Sequence, residues 1–239
     1  MKISDELKNQ IFFVIPAYNE GNMILNVLKK LDKEGFKNLV IVDDGSSDNT
    51  FNSVEKYKLK NSLDDLVLLK HIINRGQGAA LLTGMEYARN IKKCKYIVHF
   101  DSDGQHRISD LPKFIKVLEN EMVDIVMGSR FLNSETRKLV PKKKQILLKL
   151  GILITRFLSR IKLTDTHNGY RVLTKDAAGK IDITLDGFEH ASEILDEVIK
   201  NKLKYKEVPV FIDYTDYSKA KGQKISNSVK IFLKMVFKN

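Results

Sequence analysis

The chain has one cysteine, Cys94, so no disulfide can form within it, and a reducing cytoplasm fits. Cys94 itself reads as a small buried hydrophobe. Only four prolines and 13 glycines occur in 239 residues, with no low-complexity tract, which argues against extended disorder. No internal repeat is present. No apolar run approaches the roughly 18 residues that a membrane-spanning helix needs. The N-terminus, MKISDELKNQIFFVIPAYNE, carries acids ahead of a short apolar run and shows no signal-peptide cleavage pattern. What is present is 43% hydrophobic residues, enough for a sizeable core, in a length that suits one large domain. The formal charge is +11, from 41 Lys and Arg against 30 Asp and Glu. That excess favours a polyanionic partner: nucleic acid, an acidic membrane surface or a phosphate-rich substrate.

The first half alternates strand and helix. Strands are expected at 11–15, 39–42, 67–72, 96–100 and 124–127, where short apolar runs end in turn residues. Helices are expected at 22–31, with Ile24, Leu25, Leu28 and Leu31 on one face, at 77–90 and at 111–120, with Pro112 in the first turn. A further helix starts near Ser47-Asp48-Asn49-Thr50, with Ser47 or Asp48 as its cap. Such alternation predicts an α/β fold, a mostly parallel sheet with helices on both faces. Beyond it, an acidic amphipathic helix at 188–203 and a strand at 206–212 are expected.

The segment YIVHFDSDGQH, Tyr96 to His106, carries the strongest chemical signal. A strand ends in Asp101 and Asp103, which alternation aims the same way, and Gly104 permits a sharp turn. Two hard carboxylates at an open strand end suit Mg²⁺ or Mn²⁺, with water and substrate phosphate as the other ligands. The other polar clusters, after Ile15, Val42 and Ile72, fall at the same carboxyl edge of the sheet, where such folds bind ligands. Gly76 and Gly78 open a helix, whose N-terminus favours anions.

VIPAYNE, IVDDGSSDNT, NRGQGAALLTGM, DSDGQH, MGSR and DTHNGYR occur in one order. Together they resemble family-2 glycosyltransferases of the GT-A fold, most of all the dolichyl-phosphate mannose synthase-like and bacterial polyprenyl-phosphate hexosyltransferase branch. The resemblance covers about residues 10–215. It implies one domain over 1–239, with a nucleotide-sugar half at 10–105, an acceptor half at 106–215 and a basic loop and tail at 216–239. It implies inverting transfer of a hexose from a nucleotide-sugar, UDP-hexose before GDP-mannose, assisted by Mg²⁺ or Mn²⁺.

By that resemblance Pro16, Ala17, Tyr18 and Glu20 form the first nucleotide-binding loop. Asp44 accepts hydrogen bonds from the base, which suits an acceptor-only carboxylate. Asn74, Arg75 and Gly78 approach base or phosphate. Asp101, Ser102, Asp103 and Gln105 frame the cation and the donor diphosphate, with Asp101, Asp103 and Gln105 as metal ligands. Arg130 is a candidate phosphate contact. Asp165 and Arg171 order the acceptor side or pair with each other. Glu189, or Asp186, is the candidate general base. Lys221, with Lys219, Gln223 and Lys224, belongs to a basic loop over the diphosphate, where Lys gives a point charge in place of the family's Arg fork.

A lipid-phosphate acceptor needs little base help, because its second pKa is about 6, whereas a sugar hydroxyl needs a general base. The basic amphipathic segments 141–163 and 229–238 suit an anionic membrane, placing the protein peripherally at the inner face of the cell membrane. The expected partners are therefore a nucleotide-sugar donor, a lipid phosphate or a lipid-linked glycan, the membrane surface and a second copy of the chain, not nucleic acid. Extension of a lipid-linked or surface polysaccharide, a sugar-1-phosphate nucleotidyltransferase and a non-catalytic polyanion- or membrane-binding module are the alternatives. The usual Gly-rich, Arg-containing loop of the nucleotidyltransferases is missing where VIPAYNEG stands.

Overall fold

The computed structural model describes residues 2–214, except Asn22 and positions 143–144, 147, 150–151 and 154–160. The expectations for Lys219, Lys221, Gln223, Lys224 and the 229–238 tail lie outside the described residues. So does much of the basic segment 141–163, whose described part is helical at Lys142, Gln145, Ile146, Leu148, Lys149, Ile152 and Leu153.

Seven strands form one sheet: β1 Ile11–Ala17, β2 Leu39–Asp43, β3 Leu66–Lys70, β4 Tyr96–His99, β5 Ile125–Ser129, β6 Arg171–Thr174 and β7 Tyr205–Pro209, in the order β3-β2-β1-β4-β6-β5-β7. β1 to β4 run parallel, and β7 is parallel to β5. β6 alone is antiparallel to both its neighbours. The carboxyl ends of β1, β2, β3, β4, β5 and β7 therefore share one edge with the start of β6. The sheet is continuous across both halves of the chain.

β1, β2, β4 and β5 are buried on both faces, as their near-unbroken apolar runs require, while the edge strands β3 and β7 are only partly covered. Alternation divides β1: Ile11, Phe13 and Ile15 pack with one core, Phe12 and Val14 with the other. The first core is closed by α2 (Met23–Lys33), α3 (Thr50–Lys60) and α5 (Leu111–Glu121). α2 turns Ile24, Val27, Leu28 and Leu31 inward at helical spacing. The second core is closed by α4 (Gln77–Asn90), α7 (Lys175–Lys180) and α8 (His190–Lys200). Two further short helices are α1 (Asp5–Lys8) and α6 (Ser134–Leu139).

Three expectations need adjusting. The third strand stops at Lys70, and Ile72 is 98% exposed, because the chain turns at His71 to bring its ring onto Asp44. The cap position of α3 is Asn49, without a side-chain bond, while Asp48 accepts from the amide of Thr50 at 2.9 Å. β6 was not foreseen: RVLT is short and follows a loop rather than a helix.

α4 lies close against the sheet at Gly84, where an added Cβ would sit 2.4 Å from Val14 Cγ1 and 3.3 Å from Val42 Cγ2. Gly84→Val is expected to cost about 1–3 kcal/mol through overpacking. A lowered urea midpoint with unchanged slope is the expected readout.

Candidate functional site

The sheet's carboxyl edge gathers the loops that the sequence singled out. β1 leads into Tyr18, Asn19 and Glu20. Asn19 adopts φ +54° and its side-chain oxygen accepts from the amides of Ser47 and Asp48 at 2.9 and 3.3 Å. Its own amide donates to Ser46 Oγ, and that of Glu20 to Thr50 Oγ1. The loops after β1 and β2 are thus one unit. Pro16 and Ala17 belong to β1 itself, paired with Val42 and Asp43. Tyr18 is 44% exposed at the rim, and Glu20 is buried.

Asp44 is 2% exposed. Oδ1 accepts from Arg75 N at 2.9 Å and contacts His71 Nδ1 at 2.7 Å, while Oδ2 accepts from Gly76 N at 2.7 Å. His71 Nε2 lies 3.0 Å from Thr83 Oγ1. Asp44 therefore staples the next loop as its first task. Its neighbour Asp43 is fully buried; Oδ1 accepts from Ser46 N, while Oδ2 has no hydrogen-bond partner among the described residues.

The N-terminus of α4 is occupied by the chain itself. Gly78 N and Ala79 N donate to Asp186 O at 2.7 and 3.3 Å. Arg75 Nη2 reaches Asp186 Oδ1 at 3.3 Å. Gly76, at φ +116°, and Gly78 are needed for this close approach, since added Cβ atoms would lie 2.3 Å from Asp186 O and 2.1 Å from Leu185 O. In this structure it is thus the 185–187 backbone, not a phosphate, that fits these glycines. Asn74 and Arg75 stay exposed at the rim.

Asp101 and Asp103 follow β4. Asp101 Oδ1 accepts from Gln77 Nε2 at 3.1 Å. Its Oδ2 lies 2.8 Å from His106 Nε2, at ion-pair distance, although the ring is not well directed for a hydrogen bond. His106 is buried against Phe100 and Tyr170, with ring centroids 5.4 and 4.9 Å away. Burial opposes the Asp101 charge, but His106, Arg171 and His190 together hold its carboxyl below the usual value. Asp103 behaves oppositely: burial, then the Asp101 charge, with a smaller push from Glu20, raise it. Gln105 closes a tight turn, donating its amide to Asp103 Oδ1 at 3.0 Å and its side-chain nitrogen to Oδ2 at 2.5 Å. Ser102 is buried between the two acids.

Arg130 and Asp165 form a buried pair. Nε and Nη2 of Arg130 meet the two carboxylate oxygens at 2.6 and 2.8 Å, and Arg130 N donates to Oδ2 at 3.0 Å. Of the two readings for Asp165 and Arg171, mutual pairing is thus not the one found, since the carboxylate of Asp165 is bound to Arg130. Arg171 instead opens β6 beside His99, fully buried, its pKa lowered to about 10 by burial despite Asp101 and Asp165. Glu189 is half-buried at the start of α8, its carboxylate over Gly187. Among the described residues no group of three or more His, Cys, Asp or Glu could hold a metal. Gln77 and Asn19 were not singled out by the sequence, because their partners lie on other loops; His106, not counted as a ligand, meets Asp101 of its own segment.

Three further histidines, His99, His167 and His190, sit around this edge beside His71 and His106. Burial, then Arg171, lowers His99 to about 3 and His190 to about 4; burial also lowers His167. Folded, His99 and His190 stay neutral where the unfolded chain, at about 6.5, takes up protons. Their contribution to stability is full above pH ~6.5 and is lost as pH falls toward 4, by about 1.4 kcal/mol per pH unit for each of the two, and His167 acts in the same direction. The raised Asp103 and Glu207 work the other way at the lower end of that window. Neither ring nitrogen of His99 has a hydrogen-bond partner among the described residues. His99→Leu is therefore expected to match wild type within about 1 kcal/mol at pH 7.5 and to lose one histidine's share of the acid slope in urea melts.

Residues 12–182 match the family model described as glycosyl transferase family 2. A UDP-N-acetylglucosamine–dolichyl-phosphate N-acetylglucosaminyltransferase of Methanococcus voltae is 35% identical over 239 residues, covering 95% of this chain and 94% of its own length. A polyprenol monophosphomannose synthase of Mycolicibacterium smegmatis is 25% identical, covering 82% of this chain and 75% of its own length. Glucosyl-3-phosphoglycerate synthase from Mycobacterium tuberculosis, solved with UDP, has a TM-score of 0.68 at 14% identity, covering 95% of this chain and 79% of that one. The same enzyme has been solved with Mn²⁺ and UDP-glucose, at a TM-score of 0.64, 13% identity and coverage of 97% of this chain and 78% of that one. The shared fold is GT-A, and the chain is a glycosyltransferase that belongs to glycosyl transferase family 2.

Proposed function

We propose that the protein transfers one sugar, with inversion, from a UDP-sugar to a polyprenyl or dolichyl phosphate, using Mg²⁺ or Mn²⁺, at the inner face of the cell membrane. The observation that carries the reading is the Asp101/Asp103 pair at the sheet edge. The relative from Methanococcus voltae, similar over nearly the whole of both chains, is named for a UDP-sugar donor and a dolichyl-phosphate acceptor. That favours UDP over GDP and a lipid phosphate over a glycan.

The residues present fit a divalent ion. Two carboxylates lie at an accessible strand end, and the charge on one raises the pKa of the other. A cation relieves that repulsion, and diphosphate and water would complete its ligands. Asp101 and Asp103 would hold it; the side-chain nitrogen of Gln105 is turned onto Asp103. The chemistry such a cation supplies when bound is Lewis-acid help to the departing nucleoside diphosphate.

The protein's own groups then bind and orient. The end of β1 at Pro16 and Ala17, the Tyr18–Glu20 loop after it and the Asp44 loop wall the base. Arg75, half-exposed at the rim, offers charge-assisted bonds to the donor. In the transfer, a phosphate oxygen of the acceptor bonds to the anomeric carbon as the bond to the diphosphate breaks. No proton needs removal, because the nucleophile is already largely ionised (second pKa about 6). Glu189 is then dispensable as a base. The basic segments at 141–163 and 229–238 are assigned to the membrane surface, with Lys221 near the diphosphate. Among the described residues no helix is long and apolar enough to cross a membrane.

Transfer of labelled sugar into organic-extractable dolichyl phosphate tests this directly. Asp103→Asn is expected to abolish Mn²⁺-dependent transfer. Glu189→Gln is expected to stay within a few-fold of wild type; a loss of about 10²-fold or more would point to a hydroxyl acceptor and a general base. Retained transfer in Asp103→Asn would remove the cation assignment.

A further inference from the structure

The turn at 74–79 is anchored on both sides. Asp44 grips the amides of Arg75 and Gly76. Two residues further on, Gly78 N and Ala79 N are held by Asp186 O. Gln77 lies between these anchors, so its side chain starts from a fixed backbone. Its Nε2 donates to Asp101 Oδ1 at 3.1 Å, across 24 residues of sequence.

We propose that Gln77 is a positioning residue for the cation site, setting the plane of the Asp101 carboxylate so that its remaining lone pairs face the ion. The inference rests on the cation reading above and deepens it. Three observations support it. Asp103 is oriented locally, by Gln105 two residues away, whereas Asp101 is oriented from another loop. The donor on Oδ1 is a neutral amide, which orients the carboxylate without cancelling its charge. A carboxylate offers about four lone-pair sites, so one bond from Gln77 and one contact from His106 leave room for a cation. Outer contacts of this kind hold a ligand in its binding geometry. Because Gln77 shares its turn with the amides held by Asp44, the base loop and the cation carboxylate become one mechanical unit.

The test is Mn²⁺ titration of the full chain, with free Mn²⁺ read by electron paramagnetic resonance, for wild type and Gln77→Met. Methionine keeps the side chain's length and removes the donor. Melting temperature and UDP binding in EDTA are measured alongside. The expected result is Mn²⁺ binding weakened about tenfold in Q77M. Melting temperature and metal-free UDP binding should remain at wild-type values. A structural role alone would lower the melting temperature and leave Mn²⁺ affinity in place. Mn²⁺ affinity within about twofold of wild type would overturn the inference while leaving the cation reading standing. Absence of Mn²⁺ binding by wild type, with or without UDP, would overturn the cation reading and this inference with it. Gln77→Ala, read the same way, covers the case in which Q77M does not fold.

Discussion

The carboxylate of Asp44 is the contact on which the site's arrangement depends. It is almost wholly removed from water, which is costly unless the charge finds donors. Two backbone amides and the His71 ring supply them. Bonds of this charge-assisted kind are about twice as strong as neutral ones. They bind the end of β2 to the turn before α4. That turn in turn holds the carbonyl of Asp186 and the side oxygen of Asp101. One buried acid thus sets the spacing between the base loop, the two acids after β4 and the segment leading into α8.

Charge is distributed unevenly beneath the edge. Arg171, buried at the start of β6, lies on the Asp101 side, with His99 and His190 kept neutral by burial and by that same guanidinium. His106, then Arg171 and His190, hold the Asp101 carboxyl below the usual value against its burial, whereas burial and then the Asp101 charge raise that of Asp103. The two acids, alike in sequence, thus differ in character because of what surrounds each. Arg130 and Asp165 pair with each other, bringing the loop after β5 to the loop before β6.

The antiparallel β6 ties the second half of the chain into the site. Inserted between β4 and β5, it lets the chain enter the sheet at the same edge where the parallel strands end. The loop Asp165 to Tyr170 therefore arrives beside Asp101, where a Cβ on Gly169 would lie 2.8 Å from Oδ2. Tyr170, stacked on Phe114 at 4.5 Å and edge-on to Phe100, locks that arrival into the core.

The sequence by itself determined the sheet-and-helix alternation, the bounds of α4 to the residue, the pair Asp101/Asp103 at a strand end and the family. Each is local: period, turn chemistry and ordered motifs are written in consecutive residues. The tertiary structure alone decided the partners. Arg130 takes Asp165 from 35 positions away, the glycines of NRGQG receive the chain's own Asp186 carbonyl, and Gln77 meets Asp101. It also decided β6, whose four residues carry too little pattern to announce a strand until β4 and β5 offer edges on both sides. A hydrogen-bond partner is chosen by which loops the sheet brings to one edge, and no spacing within a single segment encodes that choice.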